Sequence, residues 1–409
     1  MHKQNISKYI DYAIFACLFL FSITFLFDLK INFLTTAFGL GVIKLLFERP
    51  QSIEINSKHL YFIAAFIFCM FLSILFNDAA DLSSTNTSVF KSQFISPLVG
   101  LLLLVFLFKI TKKQILTIIS GLALSILLNS IAVIWQYSQG QTGRLTGFSD
   151  HFYMFIAVTN TLILPVIFTL AIHKSSIPLK LRAFFLLTSI VSIPAVVFEN
   201  TRIVWISLAV TFLAATIISI KSKAKAIAVI LAVLIAGYGL IQLSPYSANR
   251  FKSIADTNYS NQSNSERILI WHSARDMFVE HPVFGIGVGN FHDQYIEKYR
   301  SPIAREDLWH PHNVFLAMLS EGGVLGGLSY LALWIYLYYS AIKTYRRQKD
   351  IVSIAYLMSL LGYTINSLTD CVFCANGTKT LTYTFWMFTG IYLVLNKYVI
   401  LHYKNKYLR

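Results

Sequence analysis

About twelve runs of mostly apolar residues follow one another along the chain, and roughly 20 such residues in a helix are what it takes to cross a hydrocarbon core of about 30 Å. No backbone polar group can go unpaired in lipid, so each run is expected to be a membrane-spanning helix. The runs lie at 9–27, 31–47, 60–76, 94–110, 114–137, 152–172, 181–198, 202–220, 225–243, 314–341, 351–368 and 380–401. The second, which holds Gly39, Gly41 and Lys44, is the weakest match to a span. The first is too long, and too poor in a small-residue cleavage site, to read as a removable signal peptide. Composition agrees: 56% of the residues are hydrophobic and 13% charged, against roughly 45–50% and 25% in soluble domains. The expected fold class is an all-α polytopic integral membrane protein with about twelve transmembrane helices and one large outer loop containing short helices.

Short cytoplasmic loops collect Lys and Arg. With both termini placed inside, most of the 34 Lys and Arg fall in inner segments. The short outer loops share only Lys30, Lys91, Arg144, Arg202 and Lys379. This asymmetry accounts for most of the +15 net charge without any nucleic-acid partner. A further group of cations, Arg250, Lys252, Arg267, Arg275, Lys298, Arg300 and Arg305, lies in the polar stretch 244–313. Long loops escape the charge rule, and an anionic substrate at the outer face would give these cations a reason to be there. The chain thus divides into helices over 1–243, an outer subdomain over 244–313 and helices over 314–409, with no soluble domain, low-complexity tract or repeat.

Within the outer stretch, Ser263 or Ser265 is placed to cap a helix, and Ile268, Trp271, Ala274 and Phe278 follow near helical spacing. That helix should stop before Pro282. The next segment, HPVFGIGVGNF, has alternating glycines but no βαβ unit around it. It reads either as a tight turn at the membrane surface or as backbone N–H groups offered to a phosphate. A second helix is expected near 293–299.

Arg202 stands where the seventh run ends and the eighth begins. It either snorkels to lipid headgroups or grips phosphate oxygens with its planar fork. Arg267 opens a loop helix and can aim at the same anion. His310 and His312 precede the tenth run, at the outer boundary of the membrane. They read as interfacial polar groups, or as a neutral imidazole suited to taking a proton near pH 7, with Asn313 beside it to orient a ring or a hydroxyl. Zinc normally needs three or four donors, and His272, His281 and His292 have no ligand spacing, so no metal is expected. Glu321, the one acid well inside a run, precedes Gly322, Gly323, Gly326 and Gly327; a lone acid is thin support for proton-coupled transport. Cys371 and Cys374 form C-x-x-C in a short outer loop, where an oxidising compartment permits a disulfide.

Together, the twelve runs, the large loop before the last three, Arg202 opening a late span, Arg267 in E-R-x-x-x-W, the P-x-x-G-x-G-x-G-x-F turn and H-x-H-N resemble the O-antigen ligase and polymerase superfamily of bacterial inner membranes. Ligases of that superfamily carry His, then Asn, Ser or Gln, then nine residues and G-x-x-G-T. His312, Asn313, Gly323 and Gly326 fit this spacing, but Gly327 stands where the Thr would be. The resemblance implies a glycosyltransferase architecture of the GT-C-like kind. It implies transfer of a polysaccharide from an undecaprenyl pyrophosphate-linked O-antigen donor to a lipid A-core acceptor, at the periplasmic face and without cofactor or ATP. On that reading His312 is the catalytic base, Arg202 and Arg267 hold the pyrophosphate, and His310 and Asn313 support them. Arg275, Arg300 and Arg305 would meet core phosphates, and direct displacement would invert the anomeric centre. The nearest alternative is an O-antigen polymerase on the same carrier. A protein-directed oligosaccharyltransferase usually continues into a larger C-terminal part, whereas this sequence ends at Arg409. A secondary transporter, the more distant alternative, would call for inverted repeats and more mid-span ions or acids.

Overall fold

The computed structural model describes residues 2–27, 32–49, 58–77, 84–148, 153–174, 177–371 and 379–407. Lys30, Cys374 and Arg409, all used in the sequence reading, lie outside these residues.

Every apolar run folds as helix. The described helices are α1 (His2–Thr24), α2 (Phe33–Lys44), α3 (Lys58–Phe76), α4 (Thr85–Leu107), α5 (Lys112–Ser138), α6 (Tyr153–Ile172), α7 (Leu179–Phe198), α8 (Arg202–Ser219) and α9 (Lys223–Leu243). They continue with α10 (Pro245–Lys252), α11 (Gln262–Glu280), α12 (Phe291–Gln294), α13 (Val314–Gln348), α14 (Ile351–Ser367) and α15 (Lys379–Tyr407). No strand occurs among the described residues. Among the described residues, eight helices are long and apolar enough to cross a membrane: α1, α3, α4, α5, α7, α8, α9 and α13. Shorter apolar helices lie at Phe33–Lys44, Ile156–Ile172 and Ile351–Ser367.

Local chemistry sets many of the boundaries. Thr111 and Gln114 form a reciprocal capping box at the start of α5. Asp350 accepts from the Ser353 N–H (2.8 Å) to start α14, just after Lys349 has closed α13 in a left-handed conformation. Ser244 caps α10, and Pro245 occupies its first turn, where a missing N–H costs nothing. Neither Ser263 nor Ser265 caps α11; the helix begins earlier, after Asn261.

The helices that carry the site pack closely because small residues face one another. An added Cβ on Gly362 of α14 would stand 2.1 Å from the Thr161 carbonyl of α6. Ser207 of α8 and Ser359 of α14 donate to the Gly362 and Leu162 carbonyls (2.9 and 2.8 Å). Such contacts supply the van der Waals and hydrogen-bond association that lipid, as apolar as the side chains, does not. α13 packs along α3, and α6 lies against α7, α8 and α14. α9 buries only Ala226 and Ile241, so most of its apolar surface faces outward.

The glycine-rich segment is built into a break in α13. Gly323 has φ 59° and ψ −160°, and in the gap Ile286 N–H donates to Ser320 O (2.9 Å), Gly287 N–H to Glu321 O (3.1 Å) and Val324 N–H to Pro282 O (2.8 Å). The buried Glu321 carboxylate accepts from Gly289 N–H at 3.0 Å, and Gly285 N–H donates to His281 O at 3.0 Å. The N–H groups of all three glycines are therefore used inside the protein. The tight-turn reading holds, and one N–H of this loop is taken up by the chain's own Glu321 side chain, which gives that acid a structural task.

Candidate active site

The turn E-N-T-R between α7 and α8 is made rigid by buried polar contacts. Glu199 accepts from Asn160 Nδ2 on both carboxylate oxygens (3.1 and 3.0 Å). Burial pushes its carboxyl up to about 8, only partly opposed by that hydrogen bond. Asn200 takes a left-handed φ of 55° and donates to Gly143 O and Phe198 O (2.7 and 2.8 Å). Arg202 then opens α8 almost wholly buried. Its Nη1 donates to Ser253 O and Oγ (2.6 and 3.1 Å) and its Nη2 to Ser263 Oγ and Asn264 Oδ1 (3.0 and 2.6 Å). The Ser253 carbonyl lies at the C-terminal end of α10, the end of a helix that favours a cation.

Arg267 shares one of these partners. Its Nη1 donates to Ser263 Oγ and O (2.8 and 3.0 Å), while its Nε donates to Thr369 O at 3.2 Å. Arg202 and Arg267, paired in the sequence reading by chemistry alone, converge on Ser263 and line one cavity of ≈ 280 Å³. Arg144 and Arg250 line it too. Four guanidiniums at one half-buried site repel one another, and Asp256 is the acid that offsets the field at Arg202. Taking like charges out of water costs several kcal/mol, which an anion with several oxygens would offset. Sequence reasoning counted Arg144 as an outer-loop charge and Arg250 as one of many; only the fold brings them here.

This cationic cavity meets an apolar one. A groove of ≈ 380 Å³ runs between α7, α8 and α9, lined by residues such as Val196, Trp205, Phe212, Val233 and Ile241. Ile206 and Ile254 line both spaces. The pair joins an apolar space to one lined by four cationic side chains.

The histidines lie on the other side of Arg267. Asn313 caps α13 through Oδ1, which accepts from Leu316 N–H (3.1 Å), and its Nδ2 donates to Leu368 O (3.0 Å). This fixes the start of α13 against the end of α14. Trp271 of α11 donates from Nε1 to Pro311 O (2.8 Å), so three elements meet at the H-P-H segment. His312 has φ 48°, its N–H donates to His310 Nδ1 (3.2 Å), and the two rings lie 4.3 Å apart. His312 Nδ1 stands 3.5 Å from Asp370 Oδ1. Burial and the neighbouring His312 push the His310 imidazole down to about 3. At Asp370 burial acts upward but is outweighed by the two histidines and the Cys371 N–H, which hold the carboxyl below its usual range.

Asp370 is the member of this group that sequence reasoning missed. It lies immediately before C-x-x-C, where attention went to the thiols. Cys371 is disulfide-bonded, and its N–H donates to Asp370 Oδ1 at 2.8 Å. With Asp370 in place, His310, His312 and Asp370 offer three donor atoms within 4.8 Å of one another, the third ligand that H-x-H lacked in sequence. An unbroken chain of contacts, Arg202–Ser263–Arg267–Thr369 and then Asp370–His312, joins the cavity to the histidines.

The other basic candidates do not join this cluster. Arg275 is exposed beside Asp276 (3.5 Å). Arg300 pairs with Asp307 at 2.6 Å. Arg305 lies over the Tyr259 ring at 3.9 Å and near Glu266 at 3.8 Å. Each is engaged within the 244–313 segment.

Long apolar helices thus surround a cavity lined by four arginines, with an imidazole–carboxylate pair linked to it through Arg267 and Thr369. Residues 184–331, about a third of the chain, match the O-Antigen ligase family model, so this part of the chain is similar to the O-antigen ligase superfamily. No curated protein matches the chain. The matched stretch includes Arg202, Arg250, Arg267, His310, His312 and Asn313; Arg144 and Asp370 lie outside it.

Proposed function

We propose that this protein transfers a polysaccharide from undecaprenyl pyrophosphate to a sugar hydroxyl of the lipid A-core, at the periplasmic face of the bacterial inner membrane, in lipopolysaccharide assembly. The observation that carries the reading is the contact chain from the four-arginine cavity through Arg267 and Thr369 to Asp370 and His312. The lipid tail lies in the apolar groove, and the pyrophosphate sits among Arg144, Arg202, Arg250 and Arg267. The acceptor oxygen attacks the anomeric carbon as the bond from that carbon to the phosphate oxygen breaks, and the electron pair leaves with the lipid pyrophosphate. His312 takes the hydroxyl proton, and Asp370, facing Nδ1, stabilises the imidazolium and leaves Nε2 to act as base. Paired cations in a low-dielectric site stabilise the charge that builds on the leaving group. His310 and Asn313 hold the ring in place. The scheme inverts the anomeric centre and routes no step through a metal. The topology that goes with it has about twelve spans and both termini in the cytoplasm, with the loop subdomain 244–313 in the periplasm between helices over 1–243 and over 314–409.

Gly327, in the place of the ligase Thr, favours a second reading: a polymerase that extends the chain on the same carrier. An added Cβ there would meet the end of the Leu319 side chain (2.3 Å from Cδ2), which would have to turn aside for a larger residue. The test is a gene deletion in the host, complemented with wild type or His312→Ala, with the lipopolysaccharide run on a gel. Bare core with polymer left on the lipid carrier identifies a ligase. Core bearing one repeat unit identifies a polymerase, and an unchanged ladder would refute both.

A further inference from the structure

Three donors with the chemistry of a zinc site are held together before any metal arrives. His310 and His312 flank Pro311, which is buried and accepts from Trp271 Nε1 (2.8 Å). The His312 backbone is locked at φ 48° by the turn into α13. Asp370 is anchored from another element by the Cys371 N–H at 2.8 Å, beside a disulfide-bonded residue. One donor atom from each of the three lies within 4.8 Å of the others. His312 Nδ1 is buried and makes no hydrogen bond among the described residues. Its 3.5 Å separation from Asp370 Oδ1 is close to the edge of a tetrahedron, about 3.3–3.5 Å, drawn around zinc with ligands at roughly 2.0–2.1 Å. Closing the third donor onto the same ion requires its atom to shift by up to about 1.4 Å, the difference between the 4.8 Å spread of the three donors and that edge. Two imidazoles and one carboxylate select late first-row divalent ions over magnesium and calcium, and three protein ligands leave a fourth position for water.

We propose that His310, His312 and Asp370 bind Zn²⁺, or a divalent ion of similar preference, and that the bound ion inhibits sugar transfer by occupying the ring and the carboxylate that would move the acceptor proton. The inhibition rests on the function proposed above; the binding does not.

The test uses the full chain in detergent, purified without a polyhistidine tag, with Zn²⁺ alone as the probe. Equilibrium dialysis should give one tightly bound zinc per chain, and X-ray absorption should show two imidazole nitrogens at about 2.0–2.1 Å with the remaining ligands oxygen. His310→Ala and Asp370→Asn should each weaken the affinity at least about tenfold, as loss of even an outer-shell partner does, while His272→Ala and His281→Ala should not. Transfer from a lipid pyrophosphate donor should fall in step with occupancy and return on chelation. Should a variant fail to fold, the absorption spectrum of the wild type still decides. No tight zinc, or zinc without imidazole ligands, overturns the site, and full transfer at full occupancy overturns the inhibition. Zinc bound as described to a chain that never transfers sugar supports the site and overturns the transferase reading instead.

Discussion

His312 has its backbone at φ 48°, its N–H on His310 Nδ1 and its ring 3.5 Å from Asp370, so in the proposed mechanism its ring would enter the reaction with little freedom left to lose. Its replacement by Ala should lower turnover by about 10²- to 10⁴-fold, the usual contribution of a general base, with donor affinity unchanged; steady-state kinetics separating kcat from KM would check this. Glu199 makes a different prediction. Its folded carboxyl titrates at about 8, against 4.5 in an ordinary setting. Between those values the folded form holds a proton that the unfolded chain has released, so this group's contribution to stability is present at low pH and is lost as pH rises toward 8. Glu199→Gln keeps an acceptor for Asn160 and removes the charge, so it should flatten the fall of melting temperature across this window; an unchanged pH profile would count against the buried acid. At this scale the sequence disclosed Arg202, Arg267, His312 and Asn313, because charge or paired imidazoles at the edge of an apolar run need a reason. Asp370 and Arg144 were not legible, since each acquires its meaning from a partner far along the chain.

Helices announce themselves through apolar length, caps and terminators, and all twelve runs, together with the loop helix before Pro282, fold as helix. The departures from regular helix were hidden because they are tertiary. α4 contains π-helical turns at Lys91–Ile95 and Leu103–Leu107, and α13 breaks at Gly323 because a loop from another part of the chain enters the gap. That break joins the glycine segment to the helix that Asn313 caps. Gly285 has φ 66°, and an added Cβ would stand 2.5 Å from the Glu321 carbonyl carbon. Gly285→Ala combines strain and overlap and should destabilise the protein by about 1–3 kcal/mol or more, read as a lower midpoint in thermal unfolding of the detergent-solubilised chain. Gly39→Ala, where no atom lies within 4 Å, should leave the midpoint nearly unchanged. An equal effect of the two would deny the clamp its role.

Across the whole molecule, an apolar groove between α7, α8 and α9 shares Ile206 and Ile254 with a cationic cavity, and Arg267, Thr369 and Asp370 link that cavity to the histidines. Arg144→Ala and Arg250→Ala should each weaken binding of a lipid pyrophosphate by about 10- to 100-fold, the worth of one charged hydrogen bond in a buried site, with the loss measurable by displacement of a fluorescent analogue. The apolar helices were legible in the sequence, but the cavity was not, because its lining comes from five stretches of chain, around 144, 201–206, 250–257, 264–271 and 369, that no local pattern relates. The most direct test of the account is transfer by the purified chain, supplied with an undecaprenyl pyrophosphate-linked glycan and a lipid A-core acceptor, comparing wild type with His312→Ala and Arg202→Ala. The account predicts glycan on the acceptor with wild type, bound donor without transfer with His312→Ala, and weakened donor binding with Arg202→Ala. Transfer at the wild-type rate by the His312→Ala protein would contradict it.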